Sequence, residues 1–235
     1  MTKSINKLLL AMALSFGIVP FAYGEETDLY DFLWLDPDKK VYVLQNKIFP
    51  KTKTIYFDIG YVTNDSSEFQ DTNGGQVRIG YFFNEVLGIE LNHAQYGSSN
   101  NSAYESVKAV NGLEPFIRRP LTSTSLFAIW SPFYGKINTF NKIFYFDWYF
   151  GLGTGAYKME TNLEKVVDPS TPSQFETESF VPIQLKSGLK FHINRRLHLG
   201  VEFINTNFQA GSAENPNADD WKQSNDLIFS MGVSF

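Results

Sequence analysis

Three histidines, His93, His192 and His198, are the side chains best suited to acid–base or metal chemistry in this sequence. If the chain turns at residues 194–196, His192 and His198 lie opposite each other on neighbouring strands. A histidine pair with no evident carboxylate beside it makes a weak metal site. The sequence has no cysteine, which excludes disulfides, thiolate metal sites and a cysteine nucleophile.

His93 is the histidine with candidate nucleophiles nearby, because Ser98, Ser99 and Ser102 follow it. A hydrolase needs a base held beside its nucleophile, and this spacing matches no recognised motif. Polar loops are often rich in serine. We therefore predict no catalytic residue, no metal site and no cofactor.

The composition indicates what kind of fold positions these side chains. Aromatic residues make up 16% of the chain, with 22 Phe and 12 Tyr, yet the mean hydropathy is only -0.21. A helical membrane protein does not combine a high aromatic content with a mean hydropathy below zero. A barrel wall does, because lipid-facing apolar residues alternate there with polar interior residues. The net charge of -5 and the absence of a long basic cluster argue against nucleic acid as a partner.

The first 24 residues resemble a cleaved signal peptide. Lys3 and Lys7 precede an apolar run over residues 8–19, and residues 22–24 offer a small-residue cleavage site before Glu25. The alternative is a transmembrane anchor, but the run is shorter than the roughly 20 residues that span a bilayer.

Alternation of apolar and polar residues with period two predicts about eight strands. These are residues 55–62, 76–83, 87–92, 122–131, 144–155, 181–193, 197–203 and 227–235. The facing of the fourth strand stays open, because Leu126, Phe127, Ile129 and Trp130 occupy both parities. The predicted fold class is all-β: an antiparallel up-and-down transmembrane β-barrel over residues 53–235.

Charged residues of the predicted strands share one parity, which we assign to the barrel interior as a lumen charge network. A charge facing lipid at the midplane would cost about 2–4 kcal/mol. A soluble lipocalin-like barrel would reverse the assignment, but the crowding of aromatic residues on one face, the glycines on the other and the terminal Phe favour the membrane barrel. The inward charges are Asp58, Arg78, Glu90, Asp147, Lys186, Lys190 and Glu202.

The connections between strands set the topology. Short links at residues 84–86 and 194–196 and a middling link at 132–142 alternate with long polar segments at 64–74, 97–120, 158–177 and 206–224. Short periplasmic turns and long extracellular loops are the barrel rule. Aromatic residues near the short turns would form an interfacial girdle: Tyr81, Phe82, Phe83, Phe133, Tyr134 and Phe140.

The short links also predict the register of two hairpins. Pairing Phe83 with Leu87 sets Arg78 opposite Asn92, so that Arg78 and Glu90 become diagonal neighbours within reach of each other. The second hairpin pairs Gly188 with Glu202. It leaves Lys190 diagonal to Glu202.

The last strand carries its own signal. Phe229, Met231, Val233 and Phe235 share one face, and this alternation with a terminal Phe resembles the C-terminal signal by which outer-membrane barrels are recognised. We therefore expect outer-membrane lipid and the barrel-assembly machinery as partners, the latter through the C-terminal strand. The alternative is an ordinary amphipathic edge strand.

Residues 25–52 form a charged segment with two short apolar stretches. It is either a periplasmic tail with a few apolar contacts, or a docking segment for a periplasmic partner or a cap on the barrel mouth. Residues 35–47, 80–85 and 130–136 are similar to small outer-membrane β-barrel proteins of the myxobacterial, deltaproteobacterial type. That resemblance implies an outer-membrane barrel, and it carries over no catalytic residue.

The sequence leaves two functions open. The first is a non-catalytic outer-membrane barrel that stabilises the envelope or presents extracellular loops to partners. The second is a narrow channel or a small-ligand-binding barrel. A wide diffusion pore is excluded, because an eight-stranded barrel is just wide enough for its own side chains.

Overall fold

A computed structural model of the protein describes residues 47–111, 114–139, 142–167, 175–212 and 220–235. The predicted signal peptide at residues 1–24 and residues 25–46 of the predicted periplasmic segment lie outside these ranges. The domain boundaries after residues 24 and 52 therefore stay predictions.

Antiparallel strands dominate the described residues and close into a ring. The strands are β1 (Ile55–Asn64), β2 (Gln70–Phe82), β3 (Leu87–Asn100), β4 (Arg118–Thr139), β5 (Lys142–Thr161), β6 (Glu176–Phe180), β7 (Ile183–His192), β8 (Leu197–Ala210) and β9 (Asp220–Ser234). Successive strands pair along the chain, and β9 pairs with β1 to close the sheet. Both β6 and β7 pair with β5, so they occupy one position in a ring of eight. The predicted up-and-down barrel is confirmed.

Two helices lie in the connections between strands. Helix α1 (Ser102–Asn111) follows β3 and helix α2 (Leu163–Val167) follows β5. The Asn101 side-chain oxygen caps α1 by accepting hydrogen bonds from the backbone N–H groups of Ala103 and Tyr104. Within the described ranges, neither helix has the length and hydropathy needed to cross a membrane.

Side chains alternate between the two faces of the barrel wall. The outer face is apolar over a continuous belt, as expected for contact with lipid, and the inner face carries the buried polar residues. Members of the belt on the first four strands of the ring are Ile55, Phe57, Ile59, Tyr61, Val77, Ile79, Leu87, Ile89, Leu91, Leu126 and Trp130.

Strand β4 settles the facing that the sequence left open. Phe127 and Ile129 point inward with exposures of 0% and 2%, whereas Leu126 and Trp130 are more than half exposed on the outer face. The pairing with β5 shifts between Trp130 and Phe133, so an extra residue bulges there and the parity changes. Large apolar residues therefore lie on both faces of β4, because apolar side chains fill part of the lumen beside the charged ones.

The predicted connections are too long at both ends of the barrel. The predicted link at residues 132–142 is wrong, because β4 continues to Thr139 and β5 begins at Lys142. The predicted loop at residues 64–74 is also too long, since β2 begins at Gln70, and β3 runs on to Asn100. At the extracellular ends both faces of a strand are polar, so the hydropathy pattern does not reveal the strand. Towards the β4–β5 turn, the bulge after Trp130 breaks the period of two.

Both predicted hairpin registers are confirmed. Arg78 lies opposite Asn92, and Gly188 lies opposite Glu202. Of the proposed aromatic girdle, Phe140 lies outside the described residues. The prediction is wrong at Phe82, which has an exposure of 5% and points into the barrel, while Phe83 is 51% exposed. Phe82 follows the inward parity of β2, so the parity rule overrides nearness to the turn.

Candidate functional site

The seven charged residues assigned to the lumen lie on the inner face of the barrel wall. Each has an exposure of 6% or less, because strand parity directs it away from lipid. The structure divides them into two groups. Asp147 lies at the periplasmic mouth, and the other six form a central charge cluster: Asp58, Arg78, Glu90, Lys186, Lys190 and Glu202.

Arg78 is the hub of the central charge cluster. Its Nε donates to Asp58, which is its direct partner across β1 and β2, and its Nη1 contacts Glu202 on the far side of the lumen. Its Nη2 donates to Ser230 Oγ at 2.9 Å. Arg78 therefore links its own strand β2 to β1, β8 and β9, and Tyr149 Oη on β5 lies 3.4 Å from Nη1.

Glu90 and Lys186 form the second part of the central charge cluster. Lys186 Nζ contacts Glu90 and lies 3.4 Å from Glu202 Oε2. Tyr56 donates its hydroxyl to Glu90 Oε2 at 2.6 Å. Charge-assisted bonds of this kind offset part of the cost of removing the ions from water.

The predicted partners within the cluster are wrong in part. Arg78 Nε lies 3.9 Å from Glu90 Oε2, so the predicted pair exists only as a longer contact beside those to Asp58 and Glu202. Lys190 does not pair with Glu202 within 4.0 Å among the described residues; its Nζ lies 3.7 Å from the centre of the Tyr56 ring. Contacts across the lumen form in place of the predicted diagonal contacts, because the barrel is narrow enough for side chains to span it.

Glycines on the inner face make room for these pairs. A Cβ at Gly232 would collide with the Asp58 carboxylate and with the ring of His198. A Cβ at Gly80 would collide with the Tyr56 ring. The alternation of glycine with apolar residues on these strands is therefore a packing requirement of the central charge cluster.

The histidine pair is not free of carboxylates, contrary to the sequence prediction. His198 lies directly opposite His192, as predicted, but His198 Nε2 contacts Asp58 and His192 Nε2 lies 2.7 Å from Asp147 Oδ2. The sequence could not show this, because each carboxylate comes from a strand distant along the chain. His93 lies on the outer wall, where Nδ1 is 2.8 Å from Thr124 Oγ1.

The periplasmic mouth is covered by residues 47–53, which we call the periplasmic cap. Lys51 enters the barrel from this segment with an exposure of 5%. Its Nζ lies 2.6 Å from Ser131 Oγ and 2.7 Å from Asp147 Oδ1. Burial lowers the pKa of Lys51 to about 8, although the attraction of Asp147 opposes that lowering.

Glu85 holds the cap from outside the barrel, in the turn between β2 and β3. Its carboxylate accepts hydrogen bonds from the backbone N–H groups of Lys51 and Thr52 at 3.0 Å and 2.9 Å, and Lys47 Nζ lies 2.8 Å from it. Partial burial raises the pKa of Glu85, but the bonds from Lys47 and Thr52 outweigh burial and lower it to about 2. The ring of Phe49 stacks on His192 with centroids 4.9 Å apart.

The extracellular half of the lumen is filled by a different set of side chains, which sequence reasoning missed. Asp226 is 2% exposed and accepts hydrogen bonds from Tyr96 Oη and Asn64 Nδ2, both at 2.7 Å. Asp226 follows the inward parity of β9, so extending the last predicted strand by one residue would have found it. Phe127, Ile228 and other apolar side chains pack between these two levels.

The arrangement ties the walls of a closed barrel together, and His198 joins in it through both ring nitrogens: Nε2 contacts Asp58 and Nδ1 lies 3.3 Å from Ser234 Oγ. The described residues contain no group of three or more metal-binding side chains that could hold a metal ion. At the closing seam, β9 pairs with β1 over nine residue pairs, with Phe229 opposite Tyr61 and Val233 opposite Phe57. Phe235 ends the chain with an exposure of 75% and exchanges backbone hydrogen bonds with Ile55.

A family comparison agrees with this architecture. Residues 50–235 match the family model of the outer membrane protein beta-barrel domain. Among solved structures, Ail, the attachment invasion locus protein of Yersinia pestis, is 14% identical, with a TM-score of 0.45 and coverage of 78% of this chain and 99% of Ail. The N-terminal β-barrel domain of OprF from Pseudomonas aeruginosa is 13% identical, with a TM-score of 0.42 and coverage of 78% and 98%.

Neisserial surface protein A is 13% identical, with a TM-score of 0.37 and coverage of 77% of this chain and 96% of that protein. A search of curated proteins found no match. The family match spans the cap from Pro50 onward and every strand of the ring. The protein resides in the outer membrane, and the chain belongs to the outer membrane protein beta-barrel domain family.

Proposed function

We propose that the protein is a non-catalytic barrel that stabilises the outer membrane and holds its extracellular loops in place for contact with partners. The observation that carries this proposal is the filled interior. The central charge cluster crosses the lumen through the contacts of Arg78 with Glu202 and of Lys186 with Glu90, and Lys51 occupies the periplasmic mouth. Side chains that bridge the lumen stiffen the wall and leave the loops as the variable part.

The experiment that tests the closed interior is planar-bilayer recording on the purified, refolded protein. We expect no stable unit conductance, because ion passage would require the bridges at both levels to break. A porin in the same bilayers is the positive control, and heat-denatured protein is the negative control.

A narrow channel is the alternative, and the polar side chains that run from Lys51 to Asp226 along the inner face favour it. A reproducible unit conductance that changes with Arg78→Met would replace the structural proposal with this one. A small-ligand-binding barrel is the other alternative, and its signature would be saturable binding without conductance.

The two parts of the structural role can be separated in a strain that lacks the gene. We expect the deletion to increase detergent sensitivity, and we expect the native chain to restore resistance. A matched variant with residues 102–111 replaced by a Gly–Ser linker keeps the wall and loses helix α1. If that variant restores detergent resistance, the wall stabilises the membrane without α1. If it restores resistance but no longer binds a partner at the cell surface, α1 presents the partner site.

We propose further that the C-terminal strand directs assembly by the barrel-assembly machinery. The supporting observation is that β9 both closes the ring and ends in an outward apolar series: Phe229, Met231, Val233 and Phe235. Residues 25–52 remain a candidate docking segment for a periplasmic partner, since residues 47–52 of this segment belong to the periplasmic cap.

Within the family, we propose that the chain is of the small myxobacterial type. The support is that each of the three stretches that carry the resemblance contributes a residue to contacts at the cap. Lys47 from the first stretch pairs with Glu85 from the second, and Ser131 from the third binds Lys51. An alignment of barrels of that type tests this proposal: paired replacement of Lys47 and Glu85 would support it, and independent variation would count against it.

A further inference from the structure

A cavity of about 630 Å³ opens at the extracellular mouth of the barrel. It lies among the link between β1 and β2, the start of β4, the end of β5 and the facing parts of β8 and β9. We call it the extracellular cup. Its volume lies within the range of small-ligand pockets, about 300–1,000 Å³, and the residues that line it are separate from the central charge cluster.

The floor and one wall of the cup are apolar. Met159 and Phe208 form the floor, each with an exposure of 3%, and Phe69 and Phe116 form the wall. Phe208 is fixed from behind by Tyr157, with ring centroids 5.5 Å apart. Aromatic walls around a preformed floor suit a flat, ring-containing body.

Arg118 lines the same cup and has unused hydrogen-bonding capacity. Its side chain is 8% exposed, Nε donates to Glu178 Oε2 at 3.0 Å, and Nη1 donates to the Gly211 carbonyl at 2.9 Å. The guanidinium lies 5.3 Å from the Phe116 ring centre, which fixes its plane. Its Nη2 has no hydrogen-bond partner within the described ranges. A buried donor left without an acceptor is costly, so a ligand acceptor would be favoured there.

Charged side chains of both signs surround the cup. Lys222 lines it as a second cation, and its neighbour Asp220 lies 3.8 Å from the Lys222 ammonium with a side chain that is 58% exposed. Glu68 is exposed at the rim, and Glu178, the partner of Arg118, has a side chain that is 29% exposed. The Arg118 guanidinium is the most deeply buried of these groups, and because buried charges interact more strongly with a ligand, its unpaired Nη2 favours an anion.

We propose that the extracellular cup binds a small organic anion with a flat apolar body, of the aryl carboxylate class. The ring packs on Phe116 and Phe208, and the carboxylate accepts from the free Nη2 of Arg118. Planar guanidinium–carboxylate pairing gives the orientation. This binding site goes beyond the proposed structural role and does not depend on it.

The test is isothermal titration calorimetry of 2-naphthoate into the protein purified from outer membranes and placed in lipid nanodiscs, with the heat of empty nanodiscs subtracted. We expect saturable binding with one site. The neutral alcohol 2-naphthalenemethanol, which has the same ring system, should bind about tenfold more weakly, because it lacks the charge-assisted bond.

Arg118→Gln should weaken 2-naphthoate binding by about tenfold. The matched control is Arg119→Gln: the adjacent arginine pairs with Glu160 and does not line the cup. That control should stay within about twofold of the native affinity. Faster gel migration of unheated samples verifies that each variant has folded. A second variant, Ser67→Trp, places a large side chain in the cup, keeps Arg118 and should abolish binding.

Several results would overturn the proposal. Heat no greater than that of empty nanodiscs, equal affinity for the alcohol and the carboxylate, or unchanged affinity in Arg118→Gln and Ser67→Trp would each do so. Saturable binding of maltose in place of 2-naphthoate, lost in Arg118→Gln, would assign the cup to neutral sugars and refute the anion class.

Discussion

Replacing Arg78 by methionine should destabilise the barrel more than any other single change in the lumen. Methionine fills a similar volume and removes the contacts of the guanidinium with Asp58 and Glu202, as well as the 2.9 Å bond to Ser230. The side chains of both carboxylates are at most 1% exposed. Removing one partner of a buried ion pair leaves an uncompensated charge and costs about 3–5 kcal/mol. We expect a loss of that size in the free energy of unfolding.

The assay is urea unfolding of the refolded protein in lipid vesicles, followed by tryptophan fluorescence. Arg119→Met is the matched control, because Arg119 pairs with Glu160 while its own side chain is 26% exposed. An exposed pair contributes about 0–1 kcal/mol. The two arginines therefore differ in burial and not in chemistry.

A double-mutant cycle then separates the partners of Arg78. Arg78→Met with Glu202→Gln should show a coupling of about 1.5 kcal/mol or more. The cycle with Glu90→Gln should show less, because that contact is 3.9 Å long and Glu90 also binds Lys186 and Tyr56. A loss below about 1 kcal/mol for Arg78→Met, or additive losses with Glu202→Gln, would refute the reasoning.

Three further predictions concern the cap and the closing strand. Lys51→Met should lower the free energy of unfolding by about 2 kcal/mol in the same urea assay, whereas the exposed control Lys53→Met should stay within about 0.5 kcal/mol. Glu85 has a depressed pKa, so its bonds stabilise the cap above about pH 4.5 and are lost as the pH falls towards about 2; the amide chemical shift of Thr52 should titrate with a midpoint near pH 2, and a midpoint near 4.5 would show that the bond is absent. Deleting Phe235 should reduce the amount inserted in the outer membrane more than the amount exported, and equal outer-membrane levels would contradict the assembly proposal.

Strand parity predicted which charges face the lumen, because a period of two leaves each residue one choice of face. The register of the β2–β3 hairpin followed from its short link, and it set Arg78 opposite Asn92. The partner of Arg78 on β1 could not be derived in this way. The link between β1 and β2 is longer, and several registers are compatible with it. Asp58 therefore entered the prediction as an inward charge without a partner.

Contacts across the lumen are beyond any strand-by-strand argument. Lys186 on β7 reaches Glu90 on β3 across the narrow lumen, although β4 and β5 lie between these two strands in the ring. The sequence offered a cap on the barrel mouth only as one alternative for residues 25–52, and it did not single out Lys51. Lys51 precedes the first strand, where no periodicity marks a side chain as buried, and its burial depends on Asp147 and Ser131 from the opposite wall.

Two separate sets of ion pairs close the lumen, one at the periplasmic mouth and one at its centre. Asp147 pairs with Lys51 and His192 at the periplasmic mouth, whereas Arg78 and Lys186 hold the central charge cluster. Within the described ranges, no ion pair of 4.0 Å or less joins the two groups. Loss of the cap would therefore leave the central closure in place. A filled lumen with two separate closures is better suited to a stiff membrane support than to a gated conduit.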